Sequence, residues 1–140
     1  MDKIAAIPGR EVFMQIGSCR YEPRNAPYIR FCESTEKYIA EADLIVCHGG
    51  MSVLDALSAG KPVIAVPRLV RFGEVLNDHQ LEFIRRLEDR PGVYPVYGGN
   101  IPPEAITRAL RQRMESSIGT DNRDRLIRTL RSFAERDRQS

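Results

Sequence analysis

No apolar run in these 140 residues approaches the ~20 needed to cross a bilayer. No positively charged start followed by an apolar stretch opens the chain as a secretory signal would. Both absences set the expectation of a cytoplasmic protein. Cysteine is scarce: only Cys19, Cys32 and Cys47 occur, none at a metal-ligand spacing. All three fall in or beside expected strands and are expected to be reduced core thiols. Charge of one sign is also missing, with 21 Lys and Arg against 19 Asp and Glu. The excess that exists is local: six arginines lie between Arg123 and Arg138, preceded by Arg108, Arg111 and Arg113. That basic end lacks interleaved aromatics and any reading motif, which argues against a nucleic-acid module. A hydrophobic content of 42% and a charged content of 29% describe one soluble globular domain over residues 1–140, large enough for a real core.

What is present centres on residues 43–62. The run Leu44 to Cys47 ends in His48-Gly49-Gly50, and a helix-compatible segment follows at once. A strand that turns through glycine into a helix points backbone N–H groups and a positive dipole end at one spot, which suits a phosphate. Gly60-Lys61-Pro62 stops the helix, and Val63 to Pro67 has the composition of a buried parallel strand.

The remaining chain alternates in the same way. Strands are expected over 11–17, 28–31, 43–48, 62–67 and 93–97, and helices over 34–41, 52–59, 77–89, 102–114 and 121–136. Residues 68–76 are expected to be a loop, and Met1 to Gly9 reads as a helix tail entering a Pro-Gly turn. This alternation calls for an α/β, Rossmann-like, mainly parallel sheet with helices on both faces. Ligands in such folds sit at the carboxyl ends of the strands, where Gly17, His48 to Ser52, Arg68 and the 70s loop would gather.

Four segments occur in one order: Phe13-Met14-Gln15-Ile16-Gly17, Ala42 to Gly50, Gly60 to Arg68, and Gly73-Glu74 with Asn77-Asp78-His79-Gln80. Together they resemble the C-terminal, donor-binding half of family 28 glycosyltransferases, over about residues 11–97, with residues 102–140 as C-terminal helices. The short, single-domain subgroup is the most similar: the catalytic subunit of the two-part UDP-GlcNAc transferase, and bacterial glucuronosyl- and glucosyltransferase subunits of exopolysaccharide assembly. The resemblance implies half of a GT-B glycosyltransferase. It implies that Gly49, Gly50 and Ser52, in the loop with His48 and Met51, bind the diphosphate of a UDP-sugar. Asp55 would accept hydrogen bonds from the ribose, Asp78, His79 and Gln80 would face the sugar, and Phe31 and Cys32 would lie beside the uracil. No metal or other cofactor is implied, and the chain has no Asp-x-Asp motif.

Three departures accompany the match. The family's opening strand and Gly-Thr loop have no counterpart here, which implies a start upstream of Met1 or a natural or artificial fragment. His48-Gly49-Gly50-Met51-Ser52 is one residue shorter than the family's two-glycine pattern, and Val75 stands where the bacterial subgroup often has His. Purely structural roles also fit several of these residues. Gly49-Gly50 suits a tight corner, Asn77 with Gln80 forms a capping-box pattern, His48 suits a satisfied strand-end histidine, and Asp55 suits a solvated helix face.

No conventional base for the acceptor hydroxyl is evident. Since two-domain relatives supply it from the acceptor-binding half, the resemblance implies a membrane-associated partner subunit that carries the base and a lipid-linked acceptor, recruiting this chain to the cytoplasmic membrane face. Leu126, Ile127, Leu130 and Phe133 share one helical face that would dock on that partner or on the chain's own domain, with direct lipid binding as a third option. The leading function is the donor-binding, catalytic subunit of a UDP-sugar glycosyltransferase. The alternative is a non-catalytic nucleotide-sugar-binding or interaction module.

Overall fold

Val63, Ile64 and Ala65 are all buried, as a strand covered on both faces requires. In the computed structural model, which describes residues 1–73 and 78–115, they form the middle strand of the larger of two parallel sheets. The residues group into two compact units, 1–37 and the residues from Tyr38 onward.

In the second unit β3 (Ile45–Cys47), β4 (Val63–Ala65) and β5 (Val93–Pro95) lie side by side in that order, all parallel. Register pairs Ile45 with Val63 and Val63 with Val93. Helix α3 (Met51–Ser58) links β3 to β4, and α4 (His79–Arg85) lies between β4 and β5. Val53, Leu54 and Ala56 of α3, with Ile84 and Leu87 from α4 and the turn after it, pack on Val63, Ala65 and Val93. Alternation along the strands sends Ile64 and Tyr94 to the opposite face. There α5 (Pro103–Glu115) packs on β4, with the Arg108 guanidinium 5.6 Å from the centre of the Tyr94 ring. The expected parallel sheet with helices on both faces is therefore present.

Helix α3 ends where Gly60 adopts φ +71°, the left-handed conformation that a glycine tolerates. The Gly60 N–H donates to the Leu57 carbonyl and the Lys61 N–H to that of Ala56, a Schellman closure. The Lys61 ammonium donates to the Ala40 carbonyl at 2.7 Å, in the last turn of α2 (Glu36–Glu41), where orphan carbonyls attract a cation.

In the first unit α1 (Asp2–Ala5) precedes β1 (Met14–Gln15) and β2 (Tyr28–Ile29), which form their own two-stranded parallel sheet. These two strands hydrogen-bond to each other as a pair. The strands are also shorter than their apolar runs, because the ladders close after two or three residues. Arg30 holds the intervening loop, donating to the Cys19 carbonyl at 3.0 Å and to Glu22 at 2.7 Å. Cys19 is exposed, contrary to its expected core position, because it belongs to the turn that the Cys19 N–H closes on the Ile16 carbonyl.

Asp2 organises the far end of that loop. Its carboxylate accepts from the Tyr21 hydroxyl and from the backbone N–H groups of Arg24 and Asn25. These donors, the phenol foremost, hold its carboxyl down to about 2 from 3.8. The ion contributes stability that is complete above the higher value and is lost as the pH falls from 3.8 towards about 2. The amide resonances of Arg24 and Asn25 should report that titration. Asp2→Asn should abolish it, and an unchanged acid profile in that variant would show that another group is responsible.

Candidate donor site

The corner between β3 and α3 is built from three different constraints. Val66 donates its N–H to the Cys47 carbonyl at 2.8 Å, the last rung of the β3–β4 ladder. The Val66 carbonyl then accepts from His48 Nδ1 at 3.0 Å. A carbonyl can only accept, so Nδ1 carries the proton and neutral His48 keeps Nε2 as its acceptor. Gly49 is buried, and a Cβ there would sit 2.7 Å from the Gln80 carbonyl oxygen and 2.8 Å from Ile84 Cγ1. Its φ is not in the left-handed region, so close approach of α4 is what demands glycine here.

Gly50 differs. It is the N-cap of α3, with φ −126° and ψ −160°, no side chain caps the helix, and a Cβ would meet nothing within 4 Å. The N–H groups of Met51 and Ser52, in the first turn, have no acceptor within the helix by its geometry. Met51, Ser52 and Asp55 are exposed. Ser52 and Asp55 are spaced i, i+3 and so share one face. The carboxyl end of β3 thus presents a hydroxyl, helix-terminal amides and a carboxylate beside open space. Such a set can hold a diphosphate and a vicinal diol.

Cys47 lies behind this corner, and burial first, then the Asp55 carboxylate, pushes its thiol up to about 12. It stays a protonated thiol at neutral pH and is no nucleophile.

The segment after β4 carries Arg68, which is exposed. Its N–H donates to Gln80 Oε1 at 2.9 Å, and the Val70 N–H donates to Asp78 Oδ1 at 3.3 Å. Asp78 is the N-cap of α4 without a side-chain cap bond, Gln80 turns to Arg68 instead, and Asn77 lies outside the described residues. Gly49, Gly50, Ser52, Arg68, Asp78, His79 and Gln80 therefore all belong to loops or helix starts that follow β3 and β4. Val75 and the face of Leu126, Ile127, Leu130 and Phe133 lie outside the described residues.

The first unit carries its own candidates at the carboxyl ends of β1 and β2. Gly17 follows β1 with φ +55°, and its N–H donates to the Arg30 carbonyl. Phe31 is 72% exposed and Cys32 half-buried. An aromatic ring so exposed can stack on a base.

A feature that sequence patterns did not signal is an open depression of about 280 Å³ lined by Leu69, Arg71, Asp78, Leu81, Arg85 and Tyr97. The Tyr97 hydroxyl donates to Glu88 at 2.5 Å, and burial with that bond pushes its phenol up to about 12. The i, i+4 spacing of Leu81 and Arg85 places these two on one face of α4.

Residues 4–95 match the glycosyltransferase family 28 C-terminal domain. The chain belongs to this family. Over 54 residues the domain is 44% identical to zeaxanthin glucosyltransferase of Pseudescherichia vulneris, covering 32% of this chain and 13% of that enzyme. Over 89 residues it is 33% identical to the UDP-N-acetylglucosamine–N-acetylmuramyl-(pentapeptide) pyrophosphoryl-undecaprenol N-acetylglucosamine transferase of Bordetella petrii, covering 63% of this chain and 24% of that enzyme. The crystal structure of the glycotransferase of kitacinnamycin superposes with a TM-score of 0.60 at 19% identity, covering 93% of this chain and 33% of that one. At that identity the likeness concerns the fold, which is that of a glycosyltransferase half-domain. The family 28 domain thus spans a quarter or less of these two curated relatives. No described helix is long and apolar enough to cross a membrane.

Proposed function

We propose that this domain binds a UDP-sugar and serves as the donor-binding, catalytic part of a glycosyltransferase. The observation that carries this reading is the glycine-capped start of α3. It leaves first-turn amides and the Ser52 and Asp55 side chains facing open space, in a chain whose family is named for glycosyl transfer. The diphosphate lies over Gly50 and Ser52 with His48 and Met51 in the same loop, and Asp55 takes the ribose hydroxyls. His79 reads the sugar. No metal takes part: helix-terminal amides offset the charge that builds on the diphosphate as it leaves.

The transferred group is a hexose derivative: N-acetylglucosamine, glucuronate or glucose. The Bordetella relative's name includes UDP-N-acetylglucosamine, and the Pseudescherichia relative is named a glucosyltransferase. An acceptor hydroxyl attacks the anomeric carbon, the bond from that carbon to the UDP oxygen breaks, and a base takes the hydroxyl proton. The family resemblance assigns that base to the acceptor-binding half and not to His48 at the corner. The base and a lipid-linked or polysaccharide acceptor therefore belong to a membrane-associated partner subunit, which recruits this chain to the cytoplasmic face.

A calorimetric panel of UDP, UDP-N-acetylglucosamine, UDP-glucuronate and UDP-glucose tests the reading, followed by transfer assays with and without the partner. Binding of UDP and one UDP-sugar, with transfer only when the partner is present, is the expected result. His79→Ala should lower turnover several-fold and leave UDP affinity nearly unchanged. Absence of UDP binding would refute the proposal. UDP-sugar binding without transfer in the presence of the partner would favour a non-catalytic binding module.

A further inference from the structure

Beyond Ala65 the chain continues the phase of its strand. Even-numbered positions of β4 and its flanks turn their backbone groups toward β3: the Pro62 carbonyl accepts from Ile45, and the Val66 N–H donates to Cys47. Odd-numbered positions turn toward β5, where the Val63 N–H donates to Gly92 and the Ala65 carbonyl accepts from Val96. The strand ends at Ala65, yet the even positions remain partnered as far as Val70. Three side chains replace the missing neighbour strand: His48 takes the carbonyl of Val66, Gln80 the N–H of Arg68, and Asp78 the N–H of Val70. Pro67, which has no N–H to satisfy, occupies an odd position between them.

The same helix start meets the glycine corner from the other side, since the Gln80 carbonyl and Ile84 fill the space that a Cβ on Gly49 would need. Gln80 thus touches both edges at once, one through its side chain and one through its backbone. We propose that Gln80 and Asp78 are positioning residues of the donor site, acting through the backbone of Arg68 and Val70. The amides engage Gln80 Oε1 and Asp78 Oδ1. What they fix is the distance between the exposed Arg68 and the corner that receives the diphosphate. A guanidinium held there meets phosphate charge, which UDP and UDP-sugars share. This assignment rests on the donor-site reading above, but its geometric half can be measured without any ligand.

The experiment combines amide hydrogen exchange with calorimetry on the full chain carrying Gln80→Ala, Gln80→Glu, Asp78→Ala or Asp78→Asn. Gln80→Ala should speed exchange at Arg68, and Asp78→Ala at Val70. Both should weaken UDP and the bound UDP-sugar by the same factor, about 5-fold for one net hydrogen bond. Gln80→Glu and Asp78→Asn keep an acceptor oxygen in place and should restore both protection and affinity. Loss confined to the UDP-sugar, with UDP unchanged, would overturn the proposal and make the pair sugar contacts. Faster exchange with both affinities unchanged would overturn it in favour of a purely structural clamp. An unaltered chain that binds no UDP would remove the donor site and the proposal with it, while exchange at Arg68 would still show whether the clamp exists.

Discussion

Gly49→Ala is expected to cost about 3 kcal/mol of stability, at the upper end of what overpacking does in a core. The added methyl would stand 2.7 Å from a backbone carbonyl and 2.8 Å from Ile84 Cγ1. A flexible side chain can swing aside, but the Gln80 carbonyl is part of the first turn of α4, and Ile84 is fully buried. The methyl must therefore push α4 away from the corner, which loosens the core that Ile84 shares with Leu54 and Val63. Gly50→Ala is the matched control. Its methyl would enter open space at an ordinary extended backbone angle, so the cost should stay below about 1 kcal/mol, the difference between N-cap residues. Urea unfolding of the two variants decides the matter. Equal stability for Gly49→Ala and the unaltered chain would mean that α4 does not pack where the structure places it.

Asp55→Ala is expected to weaken UDP by roughly 1–3 kcal/mol, the range for hydrogen bonds to a charged group. Asp55 is exposed, so its thermal midpoint should hardly move, which separates a lost contact from a lost fold. The carboxylate lies near enough to Cys47 to help raise its thiol, which puts its charge close to the carboxyl end of β3. Calorimetry with UDP and its 2′-deoxyribose analogue provides the internal check. Equal affinities in the unaltered chain would show that the carboxylate does not hold the ribose diol.

The β3–α3–β4 unit was legible to within two residues at each boundary, because each boundary has a local chemical cause. An apolar run makes the strand, glycine makes the corner, and Gly60-Lys61-Pro62 closes the helix. The carboxyl edge of the strands, where the candidate residues lie, followed from topology alone. Partnerships between distant residues were not legible. Asn77 and Gln80 have the spacing of a capping box, but Gln80 finds an amide twelve residues earlier in sequence, and no local pattern records that. Asp2 falls in a stretch that reads as a helix tail, yet its carboxylate ties down Arg24 and Asn25. Glycine was ambiguous for the same reason. Gly49 and Gly50 are adjacent in sequence, but only the neighbouring helix distinguishes the one required by packing from the one left open to a ligand.

The alternation that runs on from β4 into Val66, Arg68 and Val70 also imposes a reading frame on insertions. One residue added between Val66 and Val70 would turn the amides meant for Gln80 and Asp78 through half a turn, toward the wrong side. Two added residues would restore the parity and only lengthen the span. Length variation in this connection is thus quantised in steps of two, an arithmetic set by the hydrogen bonds shared with His48, Gln80 and Asp78 and independent of which side chains the loop carries.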